Sequence, residues 1–444
     1  MGKVIAFANS VVNWVDARKK PLDTVAAALL ALVPILQHYV GIIDNAATTV
    51  LLLLLPYLFL RVVPSLPALK LDKLSLVLVL GAFFLFKLFA HGTSITEIGQ
   101  VAVMLSFLFF VSQGVIHTKQ LKNIVVWVSS LAGLLLIVQY LCYYVFGFHL
   151  QLVPTGALLA EAEPWVLGAE TGKGTITGHQ SSLYRPSAFF LEPSHLFMYA
   201  FPALCLCVFS REKDVKHWVF RVLTSVAIIL CTSGMGIATT VCVWFAYFVM
   251  SDHKNGNISL KNIVHKRNLI LMGAFAGCFV LLLVAVPFLR ESVLRIFSNP
   301  GGSTAIDGRT ELAMITLRKM NAVQWIVGTA DSTAALSFNM PGFMATAYKY
   351  GVIGIVLSYE FYIRSMVKLD IRYCFFAAIL LLTSFFSAHT HGTFFMLYYV
   401  LLLMEGHRVS EKSWLQEETV FLREKLHSVI NKLKERHYGK FNRR

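Results

Sequence analysis

Three side chains of one short run, Arg185, Glu192 and His195 in Tyr184-Arg-Pro-Ser-Ala-Phe-Phe-Leu-Glu-Pro-Ser-His-Leu-Phe-Met-Tyr199, have the types and spacing to do chemistry. A guanidinium presents a rigid fork of donors that matches phosphate oxygens bidentately. Glu192-Pro193 reads as a helix start, with an acidic N-cap and proline at the first helical position. Such an end offers free N–H groups and the positive end of the helix dipole to an anion. His195, three residues beyond Glu192, shares its first turn, and a titratable pair there can take the proton of a hydroxyl group. The plain alternatives are an interfacial anchor for Arg185, a helix cap for Glu192 and interfacial packing for His195.

Other candidates lie further along. Asp307 is placed to cap a helix from Gly308 to about Asn321, with Arg309 in its first turn. Nine residues at about 100° each put Arg318 on the opposite face from Arg309, so a continuous helix cannot aim both at one ligand. Arg309 is favoured for an anion, and Arg318 and Lys319 point elsewhere. Arg290 and Arg295 flank the end of an apolar run, where anchoring to headgroups competes with binding. His389 and His391 sit in Ala388-His-Thr-His-Gly392; no third ligand follows at metal-site spacing, so an acceptor-site lining or interfacial packing is expected there. The run Gly168-Ala-Glu-Thr-Gly-Lys-Gly-Thr-Ile-Thr-Gly178 lacks the spacing of a phosphate loop, since Gly174 follows Lys173. The seven cysteines form no CxxC pair, and neither a disulfide framework nor a metal site is indicated.

The elements that must position these groups are apolar. Of the 444 residues, 57% are hydrophobic and 14% charged, and mean hydropathy is +0.66. A soluble domain carries about 25% charged residues, so the composition is that of a polytopic membrane protein. Runs able to cross a bilayer fall near 22–43, 46–63, 74–91, 96–116, 122–148, 193–209, 218–233, 235–250, 268–289, 343–363, 373–388 and 392–405, which predicts about twelve spans. With both termini inside, 30 of the 39 Lys and Arg residues fall in cytoplasmic segments. The net charge of +15 is thereby an orientation signal for the membrane and not a nucleic-acid footprint. Residues 1–20 are polar-mixed and lack a small-residue cleavage site, so the first span is expected to be an uncleaved anchor.

Two connections are long and face outward, about 148–192 and 290–341, and long ordered loops commonly carry function. Small residues in Ser233-Gly-Met-Gly236 and Gly273-Ala-Phe-Ala-Gly277 are expected to let helices approach closely. The domain expected is 1–405, followed by a basic tail, 406–444, in which Leu415, Leu422, Leu426, Val429 and Leu433 make an amphipathic helix for the inner leaflet or a partner.

The Arg185–His195 run resembles the Arg-x-Ser-x-Phe-Phe-x-Glu-Pro-(Ala/Ser)-His-Phe signature of Wzy-type polysaccharide polymerases, relatives of the O-antigen ligases. Thr232-Ser-Gly-Met-Gly236 is similar to that family's Thr/Ser-x-Ser-x-x-Gly stretch, with Gly234 where Arg is usual. Asp307-Gly-Arg309 and Trp325-Ile-Val-Gly328 resemble its Gly-Arg element and following glycine turn, with Thr329-Ala330 departing from the second glycine. The resemblance implies an all-α, GT-C-like membrane enzyme of the bacterial cytoplasmic membrane. It would move a growing glycan from undecaprenyl diphosphate onto another lipid-linked repeat unit, with inversion and without metal or other cofactor. Arg185 and Arg309 would hold the diphosphate, with Arg290, Arg318, His389 and His391 as lesser candidates. Glu192 or His195 would orient or deprotonate the acceptor hydroxyl. Undecaprenyl diphosphate-linked oligosaccharide and membrane lipids are the partners implied, along with chain-length regulator and flippase proteins. A ligase of the same chemistry and a transporter or flippase are the rival readings.

Overall fold

A computed structural model describes residues 19–42, 45–62, 81–82, 85, 106, 118–153, 155–158, 184–209, 215–250, 266–285, 290, 294, 307–329, 340–367, 369 and 371–386. These residues are mostly helical, and no strand occurs among them beyond isolated bridges. The helices are α1 (Lys19–Leu36), α2 (Ala46–Val62), α3 (Thr118–Tyr144), α4 (Pro193–Val208), α5 (Val215–Leu230), α6 (Gly234–Met250), α7 (Lys266–Ala285), α8 (Asp307–Arg318), α9 (Ala322–Val327), α10 (Gly342–Val367) and α11 (Ile371–Phe386). The runs at 74–91, 96–116 and 392–405, His389 and His391, the glycine-rich 168–178 stretch and the basic tail lie wholly or almost wholly outside the described residues.

Helix α4 is the hub. It packs against α3, α5, α6 and α11. From Leu196 to Val208 every residue is apolar or weakly polar, and apart from Met198 all are buried. A helix that is apolar all round belongs inside other protein, and this one is enclosed. Close approach is built in at Gly133 of α3, where a Cβ would overlap the Leu223 carbonyl oxygen of α5. Gly236 of α6 is likewise needed, since its Cβ would meet Ile228 and Phe197 side chains at 2.9 and 3.1 Å.

Helix α3 shows how the bundle meets its surroundings. Leu121, Val125, Ser129, Ala132, Leu136 and Gln139 form a buried stripe facing the bundle. Trp127, Leu131, Leu134, Val138 and Leu141, also spaced by three and four, form an exposed apolar stripe. From Lys119 to Tyr144 this helix is long and apolar enough to cross a membrane.

Several expected boundaries are corrected. The 22–43 run leaves the helix after Leu36, because Tyr39 and Val40 take up bridges to Leu158 and Asn45. The 343–363 run is broken at Gly351, whose φ of 63° and ψ of −168° are not helical. The second-loop helix begins at Asp307 itself and stops at Arg318, not Asn321. Asn321 instead caps α9, in a reciprocal capping box with Gln324 at 2.9 Å in both directions. At Gly273 and Gly277 an added Cβ would meet nothing within 4 Å, so the close helix approach expected there does not occur among the described residues.

Candidate functional site

The ends of α1, α3 and α5 meet the starts of α4 and α6, and the Tyr184–Glu192 segment is threaded among them. Gln139, on the buried stripe of α3, fixes that segment. Its Oε1 accepts the Ala188 N–H at 2.9 Å, and its Nε2 donates to the Leu150 carbonyl at 2.9 Å. Ala188 is buried and left-handed, with φ 53°, and the Ser187 hydroxyl donates to the Phe190 carbonyl at 2.6 Å to close the turn. A backbone this constrained delivers Arg185 and Glu192 from either side of one tight bend.

Arg185 is half-buried, and its Nε donates to Thr232 Oγ1 at 3.3 Å. Thr232 lies in the turn between α5 and α6 and is itself left-handed, with φ 57°. Two stretches of sequence, Tyr184–Tyr199 and Thr232–Gly236, are thereby joined through one side-chain contact. Next to Arg185, Tyr184 stacks on Tyr143 at 4.1 Å and 14° and meets Tyr140 and His149 edge-on. Burial pushes the Tyr184 phenol up, with Cys142, Tyr143 and Tyr144 adding to the shift, so the group stays a neutral donor at physiological pH.

Glu192 occupies the N-cap position of α4, with extended φ and ψ of −137° and 153° and Pro193 next to it. Its carboxylate makes no capping hydrogen bond to the helix. Oε2 instead accepts the Ser194 hydroxyl at 2.7 Å and stands 4.0 Å from His195 Nε2. Neither group is sealed from solvent, with 30% and 20% of the Glu192 and His195 side chains exposed. On its other side the His195 ring lies against His38, with centroids 4.8 Å apart and planes 4° from parallel. His38 follows α1, and its Nε2 meets the Gln37 carboxamide at 3.0 Å.

Glu192 and His195, expected from their spacing to lie within reach of each other on one turn, stand 4.0 Å apart. His38, Gln139 and the tyrosine cluster are additions that spacing does not reveal. Gln37-His38 and Gln139 are nonetheless visible as polar side chains inside apolar runs, a costly placement that asks for a partner. Arg309 lies in the first turn of α8, on the same stripe as Ala313 and Thr316, and its side chain is outside the described set. Arg318 is on the opposite face of that continuous helix and is exposed. Ala313, Leu317 and Met320 pack on Met340, Ala345 and Tyr348 at the start of α10. Arg290 is exposed, and no contact joins it to the α4 site among the described residues.

The α9–α10 junction is glycine-dependent. A Cβ on Gly328 (φ 87°) would overlap the Lys349 carbonyl oxygen, and one on Gly351 would overlap that of Ile326. Thr329 N–H and hydroxyl both donate to the Tyr348 carbonyl, at 2.9 and 3.2 Å, satisfying an acceptor freed by the break in α10. Among the described residues no cluster of three or more His, Cys, Asp or Glu side chains is arranged to hold a metal ion. No protein-family model matches the chain, and no curated protein matches it in sequence.

Proposed function

We propose that the chain is a multi-pass membrane glycosyltransferase that joins undecaprenyl diphosphate-linked oligosaccharide repeat units into a surface polysaccharide. It works at the outer face of the bacterial cytoplasmic membrane, through about twelve spans with both termini inside and a GT-C-like arrangement. The observation that carries the reading is the carboxylate of Glu192, which sits at a helix start without capping it, accepts the Ser194 hydroxyl and stands 4.0 Å from His195 Nε2. Support for the membrane comes from the exposed apolar stripe of α3, which a water-facing helix has no reason to keep.

In this mechanism Arg185, held by Thr232, binds the donor diphosphate near the first turn of α4, where the positive end of the helix dipole adds to the field. Arg309 supplies a second guanidinium, and Arg318 serves as a headgroup anchor. The acceptor hydroxyl gives its proton to Glu192 or His195 as its oxygen attacks the anomeric carbon. The carbon–oxygen bond to the diphosphate breaks, and the electron pair leaves with the lipid diphosphate, inverting the anomeric centre. Charge on the leaving group is held by guanidinium groups, and nucleic acid has no part in the reaction. Purified protein supplied with synthetic lipid-diphosphate repeat units is expected to yield a ladder of lipid-linked oligomers. Transfer of the glycan to a different lipid or to a peptide would instead identify a ligase, and movement of intact substrate across vesicles without new bonds would identify a transporter.

A further inference from the structure

Resting on that glycosyl-transfer reading, we infer that His38 is a positioning residue of the site, whose ring sets the plane of the His195 imidazole so that Nε2 faces Glu192. The two rings come from elements far apart in the chain, yet lie 4.8 Å apart and within 4° of parallel. His38 is itself held on a fixed turn. The Gln37 carboxamide meets its Nε2 at 3.0 Å. The next two residues are tied down, with Val40 N–H donating to the Ala157 carbonyl at 2.9 Å and Ala46 N–H to the Tyr39 carbonyl at 2.9 Å. The opposite end of the pair is equally fixed, because Leu196 and Phe197 beside His195 are buried in the core.

One ring therefore acts as a flat wall for the other. A rotation of His195 about its side-chain bonds would carry Nε2 away from Glu192, and the His38 face resists that rotation. His38 takes no proton and acts only through the ring of His195. The proton of the acceptor hydroxyl goes to Glu192 or His195 as described above. Misplacing a reacting group by about 1 Å costs up to about a hundredfold in rate, so loss of the wall should act on turnover and not on binding.

The test uses the full-length protein in nanodiscs, with two readouts. Carbethoxylation of His195 by diethyl pyrocarbonate, followed by peptide mass spectrometry, reports the stack without reference to activity. Steady-state chain growth on lipid-diphosphate repeat units gives kcat and KM. In His38→Ala, His195 should react at least about threefold faster, and kcat should fall at least about tenfold with KM within about twofold. His38→Phe keeps a flat ring and should restore both readouts to within about threefold of the parent protein, whereas His38→Leu, of similar bulk, should not. An unchanged His195 reactivity in both His38→Ala and His38→Leu overturns the inference. So does an unchanged kcat in those variants, or a His38→Phe protein as impaired as His38→Leu. A parent protein that forms no glycosidic bond overturns the functional reading itself, whatever the reactivity of His195.

Discussion

The Gln139 carboxamide accepts the Ala188 N–H at 2.9 Å, from a helix that lies 49 residues earlier in the chain. That bond, with the one Gln139 donates to the Leu150 carbonyl, ties both arms of the 148–192 connection to α3. Gln139→Leu keeps the bulk and leaves two backbone groups without this partner, which should destabilise the protein by roughly 2–5 kcal/mol. Thermal unfolding in detergent should show the loss. Chain growth should fall with it, because Arg185 and Glu192 are delivered by the same bend.

Arg185→Lys should behave as a loss and not as a conservative change. A lysine keeps the charge but cannot both donate to Thr232 and present a planar fork to a diphosphate. Turnover should drop by about tenfold or more, which is about 1.4 kcal/mol of barrier. Equal rates for arginine and lysine would mean that the contact with Thr232 has no functional role.

Glycine is required where α9 meets the break in α10. Gly328→Ala forces a left-handed residue with a side chain against the Lys349 carbonyl, and Gly351→Ala does the same against Ile326. Each should cost about 2 kcal/mol or more, with loss of expression in the membrane as the simplest readout. Alanine at Gly147, also left-handed but with open space around its Cβ, should cost less.

The exposed stripe of α3 separates a lipid-facing helix from a water-facing one. Leu134→Arg should be tolerated in water but should make membrane insertion less favourable by about 3–4 kcal/mol in a bilayer. Glycosylation-site insertion assays read that difference directly.

Much of the site is legible in the sequence because its chemistry is local. Glu192, Pro193 and His195 share one helix turn, so spacing alone puts them in reach of each other. The partners that complete the arrangement come from elsewhere: His38 from the end of α1, Gln139 from α3 and Thr232 from the α5–α6 turn. Periodicity marks such residues as polar interruptions of apolar runs but does not say what they meet. Helix ends are harder to read for the same reason. Apolar residues resume at Tyr39 and Val40 past Leu36, yet the helix has already ended in a turn at Gln37 and His38, and Tyr39 and Val40 pair with Leu158 and Asn45 instead. Gly351 is similar: Gly354 follows three residues on in the same apolar run and stays helical, so the sequence does not mark which glycine breaks α10 where α9 packs against it.

The most direct measurement compares chain growth by the parent protein and Glu192→Gln in proteoliposomes, alongside their thermal stability. Because the Glu192 carboxylate makes no capping bond, glutamine should leave unfolding within about 0.5 kcal/mol while lowering turnover by about a hundredfold or more. A Glu192→Gln protein that elongates glycan at the parent rate, or that loses stability in proportion to activity, would contradict a proton-handling role for the α4 mouth.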